Sequence, residues 1–590
     1  MDPTPKIADV ILFPSAAYQP DAPETALDQA TVCWGDSELN PANRVDSVDD
    51  VIEPIWEIDG AEADGQLFWA IPSFARGRPP RRIDVYYQEL DANSPSLEAV
   101  LETKKLPLVS HNARGSLGVG KHLLRALEHW SSKISDFESK YMSLPYGSQI
   151  AINDIKRDVR SMSITLVPDY DLERQWLPVE RLEQLWDVQK ESMPESIDID
   201  ELCFKRQLRD SISLVGVRRQ ETPEDVIFKS HTLDSKIMYG ELQNLLALPD
   251  HPNLSLKPLY LVTKRVRFGG KRGVCGFIVK LYPLGSLEDV MRHHSIHGRD
   301  LPISTRLRWA REIATGVIAV RDSPLRYYSD LKLDNILIDA ASDQLNDEAG
   351  RVVLIDFEQA TPWMHRAPPE VYWVDHIERL AAGSFDAAIQ EENAQLLRSL
   401  IPTWKPKDRH QKYGASSPSN NPAWDHLNAR EKDSAVVFML GKLIWSILEG
   451  AVEITEPVTI SSFHWENAHL PGFPTFNNTP SALRGFIKRC TSGAPEWSGR
   501  RQPFYVRHGK LYLRNGQTAQ EPSGSRQVQA VAREWWKGEI KDATRFVNLR
   551  VQGAHTVDDR QFLDFMNVRP SLEDVLQAIK DAELVATSNL

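Results

Sequence analysis

The chain has 590 residues, of which 41% are apolar and 26% charged, and its formal net charge is −13. This length exceeds what one hydrophobic core serves, so two to four domains or lobes are expected. The acidic balance, with no concentrated basic face, argues against a nucleic-acid partner, because binding to phosphates requires clustered Lys and Arg side chains.

The cysteines and the apolar stretches indicate the compartment. The four cysteines are Cys33, Cys203, Cys275 and Cys490. They lack C-x-x-C spacing, which argues against a disulfide scaffold or zinc site and favours a reducing compartment. The start, "MDPTPKIADVILFPS", is not typical of a signal peptide. The most apolar stretch, 434–450, contains Lys442 and is too short to span a bilayer. We therefore expect a cytoplasmic protein with no membrane association.

The N-terminal region predicts short strands and one helix. "DVILF", "QLFWAI" and "RIDVYY" lie among Pro and Asp residues, as in short strands joined by loops. The basic run 76–82 is typical of a solvated loop, with a nuclear-import patch as the second interpretation. Over 120–142, apolar residues recur four and three apart, which predicts one amphipathic helix. Packing is its simpler role, and a partner-binding face is the alternative.

"GSLGVGKH", residues 115–122, satisfies G-x-x-x-x-G-K, the pattern of a phosphate-binding loop. His122 stands where a Ser or Thr would bind magnesium, and the preceding residues are a poor buried strand. We therefore favour a turn leading into the helix.

A different organisation begins after a linker at 191–199. "SISLVGV" and "EDVIFKS" predict strands, "SKIMYGELQNLLAL" a helix, and "LYLVT" and "GFIVKLY" further strands. Helices dominate from about residue 302, and 491–560 is turn-rich, which predicts a loop or an insertion. A strand-rich unit followed by a helical one is an α+β layout with two lobes, and a crevice between lobes is the usual ligand site.

The stretch "SDLKLDNILI" contains the residue types that phosphoryl transfer requires. A carboxylate must accept the proton of the attacking hydroxyl, a cation must lie beside the migrating group, and oxygen ligands must hold magnesium. Asp330, Lys332 and Asn335 supply these in order. The strand "RVVLIDFEQA" then ends at Asp356. These spacings resemble the catalytic loop and the metal-binding segment of protein kinases.

Upstream residues extend the resemblance to the protein-kinase superfamily. "DVIFKS" resembles the strand that carries the phosphate-binding Lys, here Lys229, and Glu241 on the next helix is expected to pair with it. "HPN" at 251–253 is also typical. "GFIVKLYPLGSLEDVM" resembles the strand and hinge between kinase lobes. Val279 would then lie at the back of the nucleotide pocket, and Lys280 and Leu281 would offer backbone groups to the base.

The resemblance covers about residues 200–590. In "ELQNLLALPDHPN" and "VFMLGKLIW" the chain resembles kinase-like proteins of filamentous fungi. It implies an α+β, two-lobed protein-kinase-like fold. The parts would be an N-terminal extension of unknown fold at 1–199, a β-rich small lobe at 200–283, and a helical large lobe at 284–590 with inserts near 371–435 and 491–560. It also predicts an ion pair between Glu370 and Arg569.

Several positions depart from the kinase pattern. The Gly-rich loop before Lys229 is missing, with Gly216 as its one glycine, which weakens backbone contact with phosphates. Glu358 replaces the Gly of the metal-binding segment and is itself a candidate metal ligand. Ser329 replaces an Arg that would clamp a phosphorylated loop. Val436 stands where kinases place an Asp, for which Asp433 is a substitute.

The resemblance implies an ATP- and Mg²⁺-dependent kinase that phosphorylates Ser or Thr of a protein substrate. Asp330 and Lys332 would be catalytic, Lys229 and Glu241 would orient ATP, and Asn335 and Asp356 would hold Mg²⁺. A nucleotide-binding pseudokinase or scaffold is the first alternative, and a small-molecule kinase of the choline or aminoglycoside type is the second. The N-terminal extension would bind a partner, regulate the lobes or brace them.

Overall fold

The computed structural model of the protein describes residues 11–19, 54–61, 67–87, 118–154, 156, 158–219, 224–231, 234–267, 269–340, 350–357, 366–383, 386–406, 422–452, 458, 472–507, 510–514 and 525–588. They form two compact units. The sheet unit comprises the described parts of 29–246 and 257–281, and the helical unit those of 5–28, 247–256 and 282–590. A sheet-rich part followed by a helical part is confirmed, and the finer domain boundaries stay predictions.

The first sheet of the sheet unit has five strands in the order β1-β2-β3-β4-β5. They are β1 Trp56–Ala61, β2 Leu67–Pro72, β3 Ile83–Tyr87, β4 Ser148–Asp154 and β5 Ser163–Val167. β3 and β4 are parallel, which requires a crossover. Helices α1 (Gly118–Ser132) and α2 (Phe137–Met142) lie within that crossover. Their apolar side chains complete the core of this sheet.

The prediction of a single helix over 120–142 is wrong, because α1 ends at Ser132 and α2 begins at Phe137. Asp136, just before α2, has a φ of 54°, and a residue in the left-handed region cannot continue a right-handed helix. The packing role is confirmed, since Leu123, Leu127 and Tyr141 are buried in the sheet core.

The segment 115–122, which matches the phosphate-binding-loop pattern, is helical where it is described. We predicted a turn that leads into the helix, but α1 already begins at Gly118, so residues 118–122 belong to the helix. His122 is buried, and its Nε2 lies 2.8 Å from the carbonyl oxygen of Lys156. Residues 115–117 lie outside the described residues.

The second sheet of the sheet unit has six strands in the order β6-β10-β11-β9-β8-β7. They are β6 Ser196–Asp198, β7 Leu202–Arg209, β8 Ile212–Val217, β9 Asp225–Lys229, β10 Tyr260–Arg265 and β11 Arg272–Lys280. The helices of this part are α3 Asp171–Gln175, α4 Val179–Trp186 and α5 Ser235–Ala247. The strands and the helix predicted after residue 199 are therefore confirmed. The predicted linker contains β6, which pairs with β10.

β7 is the edge strand of the six-stranded sheet, and the N-terminal region covers it. The N–H of Gly77 donates to the carbonyl of Phe204 at 2.7 Å, and the N–H of Phe204 donates to the carbonyl of Arg78 at 2.8 Å. An edge with unpaired backbone groups invites aggregation, so these bonds protect it.

The basic run 76–82 is a loop, as predicted, but it is only partly solvated: Gly77 and Arg78 are exposed, whereas its last arginine is buried. The side chain of Arg82 is 3% exposed and pairs with Asp84 and Asp210. Arg76 donates to both carboxylate oxygens of Asp59, at 2.8 and 2.9 Å. Local sequence shows a basic cluster but not the distant carboxylates that bury it.

The helical unit is built from eleven described helices and two hairpins. The helices are α6 Leu287–Ile296, α7 Ile303–Arg321, α8 Pro369–Ala382, α9 Ala387–Leu400, α10 Pro422–Asp425, α11 Ala429–Glu449, α12 Ser481–Cys490, α13 Ser525–Gln552, α14 Val557–Leu563, α15 Phe565–Val568 and α16 Leu572–Ser588. The hairpins pair β12 Ile336–Asp339 with β13 Arg351–Leu354, and β14 Phe504–Arg507 with β15 Lys510–Leu513. α11 is buried almost all round from Ala435 to Leu448, as its sequence predicts.

The prediction of a loop over 491–560 is wrong for most of that range, whereas the alternative of an insertion stays a prediction. β14, β15 and the 28-residue helix α13 lie within it. α13 buries Val528, Ala532, Trp536 and Ile540, which are four residues apart. The stripe was readable, but charged residues on the opposite face lower the mean hydropathy of the segment.

The described N-terminal residues form no strand, so the strand predicted at "DVILF" is wrong from Ile11 onward; its first two residues lie outside the described range. Ile11 is buried in the helical unit, and its carbonyl accepts a 2.8 Å hydrogen bond from the indole of Trp536. Ala16 and Ala17 pack in the same core as Trp536. Among the described residues, no helix is long and apolar enough to cross a membrane.

Candidate active site

Lys229 and Glu241 form a buried ion pair inside the sheet unit. β9 ends at Lys229, and α5 carries Glu241. The Nζ of Lys229 lies 2.5 Å from Oε1 of Glu241, and the two side chains are 10% and 3% exposed. The predicted contact is present. Charges this poorly hydrated are costly unless paired, so each stabilises the other in its charged form.

A glycine permits the close packing behind Lys229. Gly276 lies on β11, next to Phe277, the cross-strand neighbour of Lys229. A Cβ at Gly276 would lie 2.4 Å from the carbonyl oxygen of Lys229 and 2.3 Å from the ring of Phe228. Any larger residue would therefore push β9 away from β11.

The three residues predicted to line a nucleotide pocket lie in the sheet unit as well. Val279 and Lys280 end β11, opposite Ile227 and Val226 of β9, and Leu281 follows directly. All three are partly exposed. They are therefore on the same pair of strands as Lys229.

In the helical unit, Asp330 and Asn335 are hydrogen-bonded across one loop. The amide nitrogen of Asn335 donates to the Asp330 carboxylate at 2.6 Å and to its carbonyl at 3.2 Å. Both residues are buried. The Nζ of Lys332 lies 3.3 Å from Asp330 and 3.4 Å from Asp334. The three predicted loop residues are thus brought together.

The β12–β13 hairpin brings Asp356 to the same place. Asn335 directly precedes β12, and β13 runs antiparallel to it toward Asp356. The N–H of Ile355 donates to the carbonyl of Asn335 at 3.1 Å. The predicted "HPN" segment supports this hairpin, because the amide of Asn253 donates to the carbonyl of Val352 at 2.9 Å.

Asp356 has a strained backbone and an aromatic support. Its φ is 65°, a conformation that costs a residue other than glycine about 1–3 kcal/mol and that clusters at functional sites. The ring of the following Phe357 lies 5.1 Å from that of Tyr328. The Tyr328 hydroxyl donates to the carbonyl of Ile355 at 2.5 Å. The chain on both sides of Asp356 is therefore held.

The charges of this cluster are coupled. Burial raises the pKa of the Asp330 carboxyl; the ammonium of Lys332 opposes that rise, and the nearby Asp356 carboxylate adds to it. Burial lowers the pKa of Lys332, but the carboxylates of Asp334, Asp330 and Asp356 more than compensate, so it lies above its ordinary value. Asp330 is thus an acid whose proton affinity is increased, as a general base requires.

The donor set fits magnesium held together with a phosphate. Among the described residues, no group of three or more His, Cys, Asp and Glu side chains is arranged to hold a metal ion. Mg²⁺, however, is usually bound by one or two carboxylates together with substrate phosphates and water. Asp356 and the amide oxygen of Asn335 are hard oxygen ligands of this type. The third candidate ligand, Glu358, lies outside the described residues.

A tight hairpin lies at the position where the kinase pattern predicts a glycine-rich loop. β7 and β8 are joined by only Asp210 and Ser211. Arg82 holds this turn in place: its guanidinium donates to the carbonyl of Asp210 at 2.6 Å and to the Asp210 carboxylate at 2.8 Å.

The predicted pair between Glu370 and Arg569 is confirmed in the helical unit. Both side chains are 0% exposed, and they form a bidentate contact. Val436, at the position where the kinase pattern has an Asp, is buried. Burial raises the pKa of Asp433, while the cations of Arg321 and Arg326 oppose the rise. Asp433 therefore lies near the segment that leads into the Asp330 loop.

Sequence reasoning missed the side chains that support the Lys229–Glu241 pair, notably Tyr146 and Tyr239. Tyr146 lies 84 positions before its partner Ser230, and an aromatic residue in an unassigned region carries no pattern that indicates such a contact.

No protein-family model matches the chain. No curated protein matches it at a significant level either. The geometry of these side chains is therefore the basis on which a function is assigned.

Proposed function

We propose that this protein is an ATP- and Mg²⁺-dependent protein kinase that transfers the γ-phosphoryl group to Ser or Thr of a protein substrate. Its sheet-rich and helical regions would then correspond to the two lobes of a protein-kinase-like fold. The main support is the Asp330–Asn335–Lys332 cluster with Asp356 beside it. Structural roles account for each of these residues singly, but a buried acid, Asp330, that is electrostatically coupled to the partly buried Asp356 serves stability poorly.

The chain's own groups would divide the work of in-line transfer. Asp330 orients the acceptor hydroxyl and takes its proton, for which its raised pKa suits it. Lys332 stabilises negative charge on the migrating group. Lys229, held by Glu241, orients the phosphates. Mg²⁺, when bound by Asp356 and Asn335, would neutralise charge on the phosphate oxygens.

The acceptor class follows from the loop sequence. Lys332 in "DLKLDN" resembles serine/threonine rather than tyrosine kinases. The absence of an Arg at Ser329 leaves no clamp at that position for a phosphorylated loop, which favours activity without prior phosphorylation.

Transfer of labelled γ-phosphate from ATP to the protein itself or to a generic protein substrate tests the proposal. Asp330→Asn should lower the rate by about 10²-fold or more, the usual contribution of a general base. Asp322→Asn is the matched control, because Asp322 is an exposed acid of the same unit that pairs with Arg321 at the surface. Equal rates in wild type and Asp330→Asn would refute the kinase.

A nucleotide-binding pseudokinase or scaffold is the second candidate, and the β7–β8 turn favours it. A two-residue turn tied to Arg82 offers no run of backbone N–H groups for phosphates. Thermal shift with ATP and Mg²⁺, in wild type and Asp356→Ala, separates the candidates when it is combined with the transfer assay. A shift that Asp356→Ala abolishes, without transfer, would indicate the scaffold.

A further inference from the structure

The Lys229–Glu241 pair is supported on its lysine side by the N-terminal part of the sheet unit. We define the brace as the described part of residues 54–177. Tyr146 of the brace is buried, and its hydroxyl contacts the hydroxyl of Ser230, the residue after Lys229. Both residues are buried, Tyr146 at 2% and Ser230 at 5% exposure, so water is a poor replacement partner for either hydroxyl.

The brace also holds the hairpin next to Lys229. Ile212, the first residue of β8, is the cross-strand neighbour of Lys229. Arg82 anchors Asp210, two residues earlier, through both its carbonyl and its carboxylate. The N–H of Ser230 donates to the carbonyl of Ser211 at 2.9 Å. Arg82 and Tyr146 therefore act on the same short stretch of sheet from two directions.

The glutamate side of the pair is held by the end of the brace. Tyr239 lies on α5, two residues before Glu241, and its hydroxyl is fully buried. It accepts the N–H of Leu177 at 2.8 Å and donates to the carbonyl of Val274 at 2.8 Å. The hydroxyl of Ser235, at the start of α5, donates to Gln175 at 3.3 Å. α5 is thus bound to the brace at two points.

We infer that Tyr146 and Tyr239 are positioning residues that set the Lys229–Glu241 pair without any ligand. The brace grips the strand that carries Lys229 and the helix that carries Glu241, so the pair is preformed rather than assembled on nucleotide binding. The consequence for catalysis rests on the proposed function, whereas the preformed pair itself does not. The brace is then an integral part of the site's architecture.

The rate at which an amine-specific reagent modifies Lys229 tests this inference. The reagent is applied at fixed pH without nucleotide, and modification is quantified by peptide mass spectrometry. Tyr146→Phe and Tyr239→Phe should each raise the rate about fivefold, the change in a local opening equilibrium that one lost hydrogen bond produces. Glu241→Gln, which removes the carboxylate directly, serves as the upper reference.

Ser131→Ala is the matched control. It removes a buried hydroxyl of the same region, which accepts a 3.1 Å hydrogen bond from the indole of Trp56 and touches neither β9 nor α5. The Lys229 rate should stay at the wild-type value in this variant. An unchanged rate in both tyrosine variants, or the same rise in Ser131→Ala, would overturn the inference.

ATP and Mg²⁺ binding, measured in parallel by thermal shift, keeps this result separate from the proposed function. If wild type binds no nucleotide while the tyrosine variants still expose Lys229, the kinase proposal fails and the preformed pair stands. If wild type binds nucleotide and the variants leave Lys229 protected, the inference fails and the kinase proposal stands.

Discussion

Two buried ion pairs, one in each unit, differ in how completely they are sealed. Glu370 and Arg569 have side chains that are 0% exposed, whereas the side chain of Lys229 remains 10% exposed beside Glu241. The guanidinium of Arg569 also donates to the carbonyl of Ser492 at 2.9 and 3.1 Å. The Cζ atom of Arg569 lies 4.8 Å from the ring centroid of Phe438.

The difference separates a structural pair from one suited to function. The N–H groups of Arg569 donate to oxygens of the protein itself. Its charge therefore stabilises the packing of α8, α11 and the start of α16. Lys229 is an ammonium with a small exposed face, and its support comes from neutral hydroxyls around the pair. A charge that must act on a ligand needs that access, and a charge that only stabilises does not.

Breaking the sealed pair should have the largest effect. Glu370→Ala leaves the Arg569 cation buried without its carboxylate and should lower the free energy of unfolding of the helical unit by about 3–5 kcal/mol. Thermal unfolding measures the change. Glu573→Ala breaks the exposed pair with Arg321 and should cost at most about 1 kcal/mol. Equal melting temperatures for the two variants would contradict the sealed-pair interpretation.

Breaking the accessible pair should cost less stability. Glu241→Gln keeps an acceptor for Lys229 but removes the charge, and the ammonium can turn toward water. The expected loss is about 1–2 kcal/mol, measured by thermal unfolding, with Glu138→Gln at the exposed Arg78 pair as control. A loss as large as that of Glu370→Ala would show that Lys229 is sealed like Arg569.

Glu539 on α13 extends the comparison to a half-buried acid beside Arg500, whose guanidinium pairs with Asp542. Burial raises the pKa of Glu539 to about 7; Asp542 adds to the rise, and Trp373 and Arg500 oppose it. The folded state therefore holds a proton that the unfolded chain releases near pH 4.5. Stability from this group falls as the pH rises toward 7 and stays low above it.

Glu539→Gln removes that titration. Its melting temperature should exceed that of wild type at pH 8 and equal it at pH 4, where the wild-type carboxyl is largely protonated in both states, as differential scanning fluorimetry at the two pH values would show. A variant that is less stable than wild type at pH 8 would disprove the raised pKa.

The smallest effect is expected in the pH profile of phosphoryl transfer. Lys332 holds down the pKa of Asp330, so Lys332→Met should raise that pKa further. In the proposed mechanism Asp330 acts in its deprotonated form, so transfer should be lost as the pH falls through its pKa, and the acidic limb of the profile should move to higher pH. Rates over pH 5–8 measure the shift. A limb that stays in place would separate Lys332 from Asp330.

Much of the candidate site was predictable because its contacts follow from local spacing. Asp330 and Asn335 lie on one loop, and their hydrogen bond spans five positions. Lys229 and Glu241 are twelve positions apart on a strand and the following helix. The Glu370–Arg569 pair spans 199 positions, and it was predictable only through the resemblance to a kinase.

The errors lie where a local signal was weak or ambiguous. The stripe over 120–142 fits one helix, and Asp136 carries no mark of its left-handed backbone. In α13 charged residues conceal a stripe that includes Val528 and Trp536. The run 76–82 looks solvated until Asp59, Asp84 and Asp210 are placed beside it.

By itself, the sequence determined the strands and the helix between residues 211 and 282 and the side chains that cluster around Asp330. Periodicity and short hydrogen-bonded turns depend on residues that are close in the chain, so they can be predicted from the sequence. Only tertiary structure showed that Tyr146 and Tyr239 hold the Lys229–Glu241 pair and that Arg82 occupies the hairpin turn. Such contacts depend on which distant surfaces pack together, and that choice is made by the summed burial of many side chains rather than by any local pattern.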